Sequence, residues 1–226
     1  MKTADSFLQI FDKTRGCISA DTSSSVWAVT ETERKAGIKR FLIDMNKAEY
    51  VAFDDKLCKD KLHMPANVSS YFKDSNCDGI ALIRKGDENL MVFCDLKASF
   101  DTKDIKKGFA QGLFSFIKLH TLLSLCNNYN LVEFNIDFIV VCKCFENEAK
   151  RADILLRVQD GQIADKDIFI NAILYPLLKN GEICVKLGDF PQIAGLDINP
   201  CIKNKKVKLR LLMSSNYADD FVNYSI

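Results

Sequence analysis

The sequence predicts an α/β protein with a mixed central sheet flanked by helices and a C-terminal α+β extension. Three observations predict it. Phe134 to Cys142 (FNIDFIVVC) is apolar enough to be a central strand. Two β-rich runs, Gly79–Ile83 and Leu90–Lys97, flank the turn-forming Lys85-Gly86-Asp87-Glu88-Asn89 and read as a hairpin. Between the hairpin and the apolar strand, Lys103 to Cys126 reads as a long helix stopped by Asn127-Asn128-Tyr129-Asn130. A strand, a helix and a strand make a crossover unit, expected to be right-handed and parallel.

The other elements follow in order. Ser6 to Lys13 predicts a short helix, followed by a polar loop with Gly16 and Ser23-Ser24-Ser25. Trp27 to Lys47 predicts a longer helix, with Ile38, Phe41, Leu42 and Met45 on its apolar face. Glu31, seven residues before Ile38, falls on that same inward face. Tyr50 to Phe53 reads as a short strand, and Pro65 marks a break. Beyond the central strand, Ala149–Arg157 and Ile168–Leu178 predict helices, the second ended by Gly181. Ile183–Leu187 is strand-like. Val207, Leu209, Leu211 and Met213 alternate with Lys206, Lys208 and Arg210, which marks the final strand. Residues 1–143 are expected to form the core, and 144–226 an α+β extension packed on the same domain.

Composition narrows the function. The 226 residues carry 31 Lys+Arg against 30 Asp+Glu, a net charge of +1. That excludes a protein that coats nucleic acid by charge alone, so any such contact is local, metal-assisted or helped by a partner. With 48% hydrophobic residues and only 10 Gly and 4 Pro, the chain is globular and built of well-formed elements. Nine Cys, no C-x-x-C and two His cannot assemble a zinc finger. Most of the cysteines sit in apolar runs, as reduced thiols of the cytoplasm do. Met1-Lys2-Thr3-Ala4-Asp5 does not read as the start of a signal peptide. The most apolar window, Phe109–Cys126, carries Gln111, Lys118 and His120, so it reads as a core helix and no membrane span is expected. No P-loop, Rossmann, nucleophile-elbow or zincin motif occurs.

The chemistry gathers on the hairpin. Asp78 opens its first strand, and Asp95 and Lys97, two apart on the second, point to one face. Carboxylates and an ammonium at the end of an apolar strand are costly to bury without partners. A divalent cation is one partner that accounts for them. Mg²⁺ takes one or two carboxylates and completes its shell with water and phosphate oxygens. A lysine beside it can orient the attacking water and neutralise charge developing on phosphate.

Asp78, sixteen intervening residues and then Asp95-Leu96-Lys97 resembles the PD-(D/E)xK nuclease superfamily, with similar element order over roughly residues 27–143. Cys77 stands where the superfamily's name has proline. The resemblance implies a restriction-endonuclease-like core. It implies Mg²⁺ or Mn²⁺ bound by Asp78 and Asp95, with Lys97 in catalysis and an acid from the first helix completing the site. Glu31 is the best candidate for that acid, with Glu33 behind it. The RecB-like branch adds Gln-x-x-x-Tyr on the following helix; here Gln111 matches and Ser115 stands at the tyrosine position. Gln111, Ser115 and Lys118 form one polar stripe, facing either the site or water. The implied activity is phosphodiester hydrolysis, of DNA more than RNA, in restriction, repair or anti-phage defence. The implied partners are nucleic acid and a protein partner or a second copy of the chain. The alternative is a catalytically inactive scaffold with this fold, acting as a protein-interaction module.

Other residues read more plainly. His120 reads as a satisfied core or interface histidine, and a dyad with Cys126 has nothing to orient it. Cys142-Lys143-Cys144 at a strand end reads as neither a disulfide nor a metal pair. Lys203, Lys205, Lys206, Lys208 and Arg210 read as a solvated strand face, with a phosphate-tracking patch as the alternative. Lys103, Lys106 and Lys107 form a second basic spot, weakened by Asp101 and Asp104.

Overall fold

The computed structural model describes residues 6, 18–19, 24–31, 36–54, 75–160 and 168–226. Its strands, in chain order, are β1 (Ile18–Ser19), β2 (Val26–Thr30), β3 (Arg40–Asp44), β4 (Glu49–Asp54) and β5 (Gly79–Lys85). They continue with β6 (Glu88–Leu96), β7 (Phe134–Cys142), β8 (Glu182–Lys186), β9 (Lys206–Met213) and β10 (Phe221–Ser225). The helices are α1 (Thr102–Leu123), α2 (Glu148–Gln159), α3 (Ile168–Asn180) and the single turn α4 (Pro200–Lys203).

Seven strands form a mixed sheet in the order β1-β4-β5-β6-β7-β9-β8. β5 and β6 are the antiparallel hairpin, in register from Gly79 opposite Cys94 to Lys85 opposite Glu88. β6, α1 and β7 form the crossover, with β7 parallel to β6 and central in the sheet. Beyond residue 143 the chain adds β9, parallel to β7, and then β8 at the edge.

The two faces of this sheet have different covers. Alternate residues Leu82, Met91, Phe93, Phe138, Val140 and Leu209 pack with α1 and α3 in one core. Within it Phe93 meets Phe116 and Phe138 edge-on, at ring separations of 6.1 and 5.5 Å. Each such pair adds about 0.5–1.5 kcal/mol to its burial. The residues of opposite parity, Ala81, Ile83, Val92, Cys94, Ile139 and Val141, form a second core. It is closed by a three-stranded sheet of order β10-β3-β2. The protein is thus a mixed α/β fold whose main sheet has helices on one face and a small sheet on the other.

Two sequence expectations are corrected here. The helix over Trp27–Lys47 is instead β2 and β3, paired antiparallel with Val29 opposite Phe41. The offsets among Ile38, Phe41, Leu42 and Met45 fit a helix, but Phe41, Ile43 and Met45 also alternate. The alternation wins because those three are fully buried while Leu42 is only half-buried. Trp27 and Val29 alternate in the same way with exposed neighbours. Second, Lys206–Met213 is not the last strand, because β10 follows and pairs parallel with β3. β10 buries only Val222 and carries Asn223 and Ser225, so its apolar pattern is thin.

Elsewhere the elements lie close to expectation. α1 starts one residue early, at Thr102, and closes at Leu123 with Ser124 as its C-cap. β4, α2 and α3 cover the segments assigned to them, and β8 runs one residue earlier than Ile183–Leu187, leaving Leu187 to a short 3-10 turn. The Ser6–Lys13 helix beyond Ser6, the break at Pro65 and Glu33 lie outside the described residues. No helix among the described residues is long and apolar enough to cross a membrane.

Candidate metal and phosphate site

The site lies where β6 ends, at the carboxyl end of a parallel pair. In open α/β sheets this is where ligands bind. Asp78 immediately precedes β5, and its N–H donates to the Cys94 carbonyl at 2.9 Å. The hairpin ladder therefore holds its backbone. Its Oδ2 accepts from the Leu96 N–H at 2.7 Å. Asp95 sits in β6 opposite Val140 and is buried. Lys97, just past the strand, donates its N–H to the Val141 carbonyl at 2.8 Å and so continues the parallel ladder.

The strand period puts Asp95 and Lys97 on the α1 side of the sheet, where they meet. Lys97 Nζ lies 2.5 Å from Asp95 Oδ2. It also donates to Gln111 Oε1 on α1 at 2.8 Å. Gln111 in turn donates from Nε2 to the Asn76 carbonyl at 2.7 Å. The polar stripe of α1 thus faces inward. Gln111 touches the site, while Ser115 and Lys118 are wholly buried.

Two glycines make this convergence possible. A Cβ on Gly108 of α1 would stand 2.8 Å from both Asp95 Oδ2 and Val140 Cγ2. A Cβ on Gly79 would stand 2.7 Å from Val29 Cγ2. So β2 packs directly over Gly79, and the chain leaving β2 carries Glu31 towards Asp78. The Glu31 charge raises the pKa of both Asp78 and Asp95. Glu31 lies just past the end of a strand in the second sheet rather than on a helix, and it acts on the two carboxylates through its charge. Its N–H donates to the Lys39 carbonyl at 3.0 Å, closing the β2–β3 pair.

The electrostatics favour a cation. Burial, then the neighbouring Asp95 carboxylate, pushes Asp78 up to about 7. Its bond from Leu96 and the Lys97 charge oppose that rise. Burial pushes Asp95 up to about 6, although the Lys97 and Lys107 charges hold it down. Asp95 Oδ1 is buried and accepts no hydrogen bond among the described residues. An orphaned carboxylate oxygen beside a second carboxylate fits a hard divalent ion. The described residues contain no group of three or more His, Cys, Asp or Glu able to hold a metal. An ion there would take two carboxylates, from Asp78 and Asp95, with water and substrate oxygens completing its shell.

Of residues 75–77, which lead into Asp78, Ser75 and Asn76 carry no sequence motif, and the contacts of all three were not anticipated. They are tied to Gln111, Ser115 and Lys118, so the one sequence signal for them was the stripe itself.

The remaining candidates fall elsewhere. His120 pairs with the Tyr129 hydroxyl at 2.7 Å and stacks on Phe116, and burial lowers its pKa. It is a satisfied histidine. Cys142 and Cys144 are free thiols. Lys206, Lys208 and Arg210 line a cleft of about 430 Å³ on the sheet face opposite α1. Arg210 there pairs with Asp137 at 2.8 Å and with Glu182, and Lys208 lies 3.7 Å from Glu182. That cluster is an ion-paired strand face on the side of the sheet opposite Asp95. Of the second basic spot, Lys107 acts on Asp95. Asp101 caps α1, accepting from the N–H groups of Lys103 and Asp104.

No protein-family model matches the chain, and no curated protein or solved structure is significantly similar to it.

Proposed function

We propose that the chain is a metal-dependent nuclease of the PD-(D/E)xK type, with a restriction-endonuclease-like core, which hydrolyses phosphodiester bonds of DNA in preference to RNA. The observation that carries this reading is the convergence of Asp78, Asp95, Lys97 and Gln111 at the end of β6, with one buried carboxylate oxygen orphaned. Asp78 and Asp95 would hold Mg²⁺ or Mn²⁺, with Glu31 adding negative charge beside them. Such an ion supplies Lewis acidity to a phosphate oxygen and acidity to bound water. Lys97, steadied between Asp95 and Gln111, holds a positive charge and N–H donors where an anionic phosphate would arrive. Gln111 fixes the Lys97 rotamer by accepting from Nζ.

A net charge of +1 gives little general attraction to nucleic acid. The reading therefore includes a protein partner or a second copy of the chain that supplies substrate affinity, as in a cytoplasmic restriction, repair or anti-phage effector.

One observation favours a second reading, a catalytically inactive scaffold that serves as a protein-interaction module. Among the described residues no third metal-ligating group completes the pair of carboxylates.

A cleavage assay separates the two. Supercoiled plasmid, linear duplex, single-stranded DNA and RNA are incubated with Mg²⁺, Mn²⁺ or EDTA, beside a Lys97→Ala control. The nuclease reading requires metal-dependent cutting that is lost in the variant. Absence of cutting, together with absence of Mn²⁺ binding, supports the scaffold.

A further inference from the structure

Three consecutive residues ahead of Asp78 are each tied to α1. The Ser75 carbonyl accepts from Lys118 Nζ at 3.3 Å. Asn76 accepts twice, at Oδ1 from Lys118 Nζ at 2.7 Å and at its carbonyl from Gln111 Nε2 at 2.7 Å. The Cys77 N–H donates to Ser115 Oγ at 2.9 Å. Gln111, Ser115 and Lys118 lie on one face of a helix. Ser115 and Lys118 are 0% exposed, and Asn76 is buried with them.

We propose that Lys118 is a positioning residue: with Ser115 and Gln111 it clamps residues 75–77 and so sets the Asp78 carboxylate against the Leu96 amide, in register with Asp95. An ammonium in a helix core is costly unless its donors are satisfied, so its placement on two acceptors of one short segment calls for a function. Asn76 joins both arms of the clamp. Its side chain takes Lys118, and its carbonyl takes the same Gln111 that holds Lys97. The clamp therefore ties both hairpin ends of the site, Asp78 and Lys97, to a single rigid helix. Groups bonded directly to a metal ligand change metal affinity about 10–100-fold when removed, and Lys118 acts one step further out, so its loss belongs at the low end of that range.

The role of the clamp in metal binding rests on the nuclease reading, but its effect on Asp78 does not, and the test keeps the two apart. Amide hydrogen exchange at Cys77, Asp78 and Leu96 is measured in metal-free wild type, Lys118→Met and Ser115→Ala, with Phe138 in the central strand β7 as the reference. Mn²⁺ affinity is then measured by calorimetry. Methionine keeps the stem volume, and replacing a buried charge with an apolar side chain is often neutral for stability. In both variants the amides at 77, 78 and 96 should exchange faster while Phe138 stays protected. Mn²⁺ affinity should fall about tenfold in Lys118→Met. If Lys118→Met does not fold, Ser115→Ala decides. Unchanged exchange at 78 and 96, or equal acceleration at Phe138, overturns the clamp. Wild type that binds no Mn²⁺ overturns the metal reading and leaves the clamp to be judged on exchange alone.

Discussion

Asp78 and Asp95 are acids whose pKa values are raised by burial, to about 7 and about 6. A carboxyl whose folded pKa lies above its unfolded value stabilises the fold fully below the unfolded value, near 4, and loses that contribution as pH rises through the folded value. In EDTA the two acids therefore destabilise the metal-free protein progressively between about pH 4 and pH 8. Asp78→Asn keeps an acceptor for the Leu96 amide and loses the proton. Its melting temperature should improve relative to wild type on going from pH 5 to pH 8. Parallel melting curves across that range contradict the raised pKa. Gly108 offers a second test at this scale. Gly108→Ala puts a methyl 2.8 Å from Asp95 Oδ2 and from Val140. Overpacking of this kind costs about 1–3 kcal/mol, to be read from chemical denaturation. An alanine variant as stable as wild type shows that α1 does not press on Asp95.

The element that organises the site is α1. One face carries Phe109, Leu113, Phe116 and Leu119 into the core, and a separate stripe carries Gln111 to the site and Ser115 and Lys118 to residues 75–77. Asp101 begins it, accepting from the Lys103 and Asp104 N–H groups at 2.8 and 3.4 Å. Asp101→Ala should cost about 1 kcal/mol in denaturant melts and leave metal affinity unchanged, because Asp101 is exposed and its carboxylate is taken up by the Lys103 and Asp104 amides. A loss of metal affinity in that variant indicates that the start of α1 is part of the site.

The hairpin, α1 and β7 were legible in the sequence because each has one strong period or run of its own. β2 and β3 were not, since Ile38, Phe41, Leu42 and Met45 fit a helix while Phe41, Ile43 and Met45 also fit a strand, and the packing of β2 on Gly79 decides. β10 was not legible because its one fully buried residue, Val222, gives no pattern. Asp78, Asp95 and Lys97 could be found because charge interrupts apolar runs there. Ser75 and Asn76 could not, because their roles are set by backbone and side-chain partners 35–43 residues away.

At the scale of the molecule, the main sheet separates two charged regions. Asp95, Lys97 and α1 share one face, and Lys206, Lys208 and Arg210 share the other with Asp137. A substrate held at Asp95 therefore does not reach the second region across the sheet. Lys206→Glu combined with Lys208→Glu should leave phosphodiester cleavage unchanged, whereas Lys107→Glu, beside Asp95, should raise KM for nucleic acid. Loss of cleavage in the double variant would mean that the substrate wraps the sheet edge. Residues after 143 supply β9 and β8 to the main sheet and β10 to the small one. Both layers of the site are thus buttressed by the C-terminal third.

The central claim is that Asp78 and Asp95 share a divalent cation. Calorimetric titration of metal-free protein with Mn²⁺ at pH 8, for wild type, Asp78→Asn and Asp95→Asn, tests it most directly. The account predicts one binding event in wild type, weaker at pH 5.5 where both carboxyls hold protons, and lost in each variant while the fold survives. Equal binding by all three proteins, or none by wild type at pH 8, contradicts it.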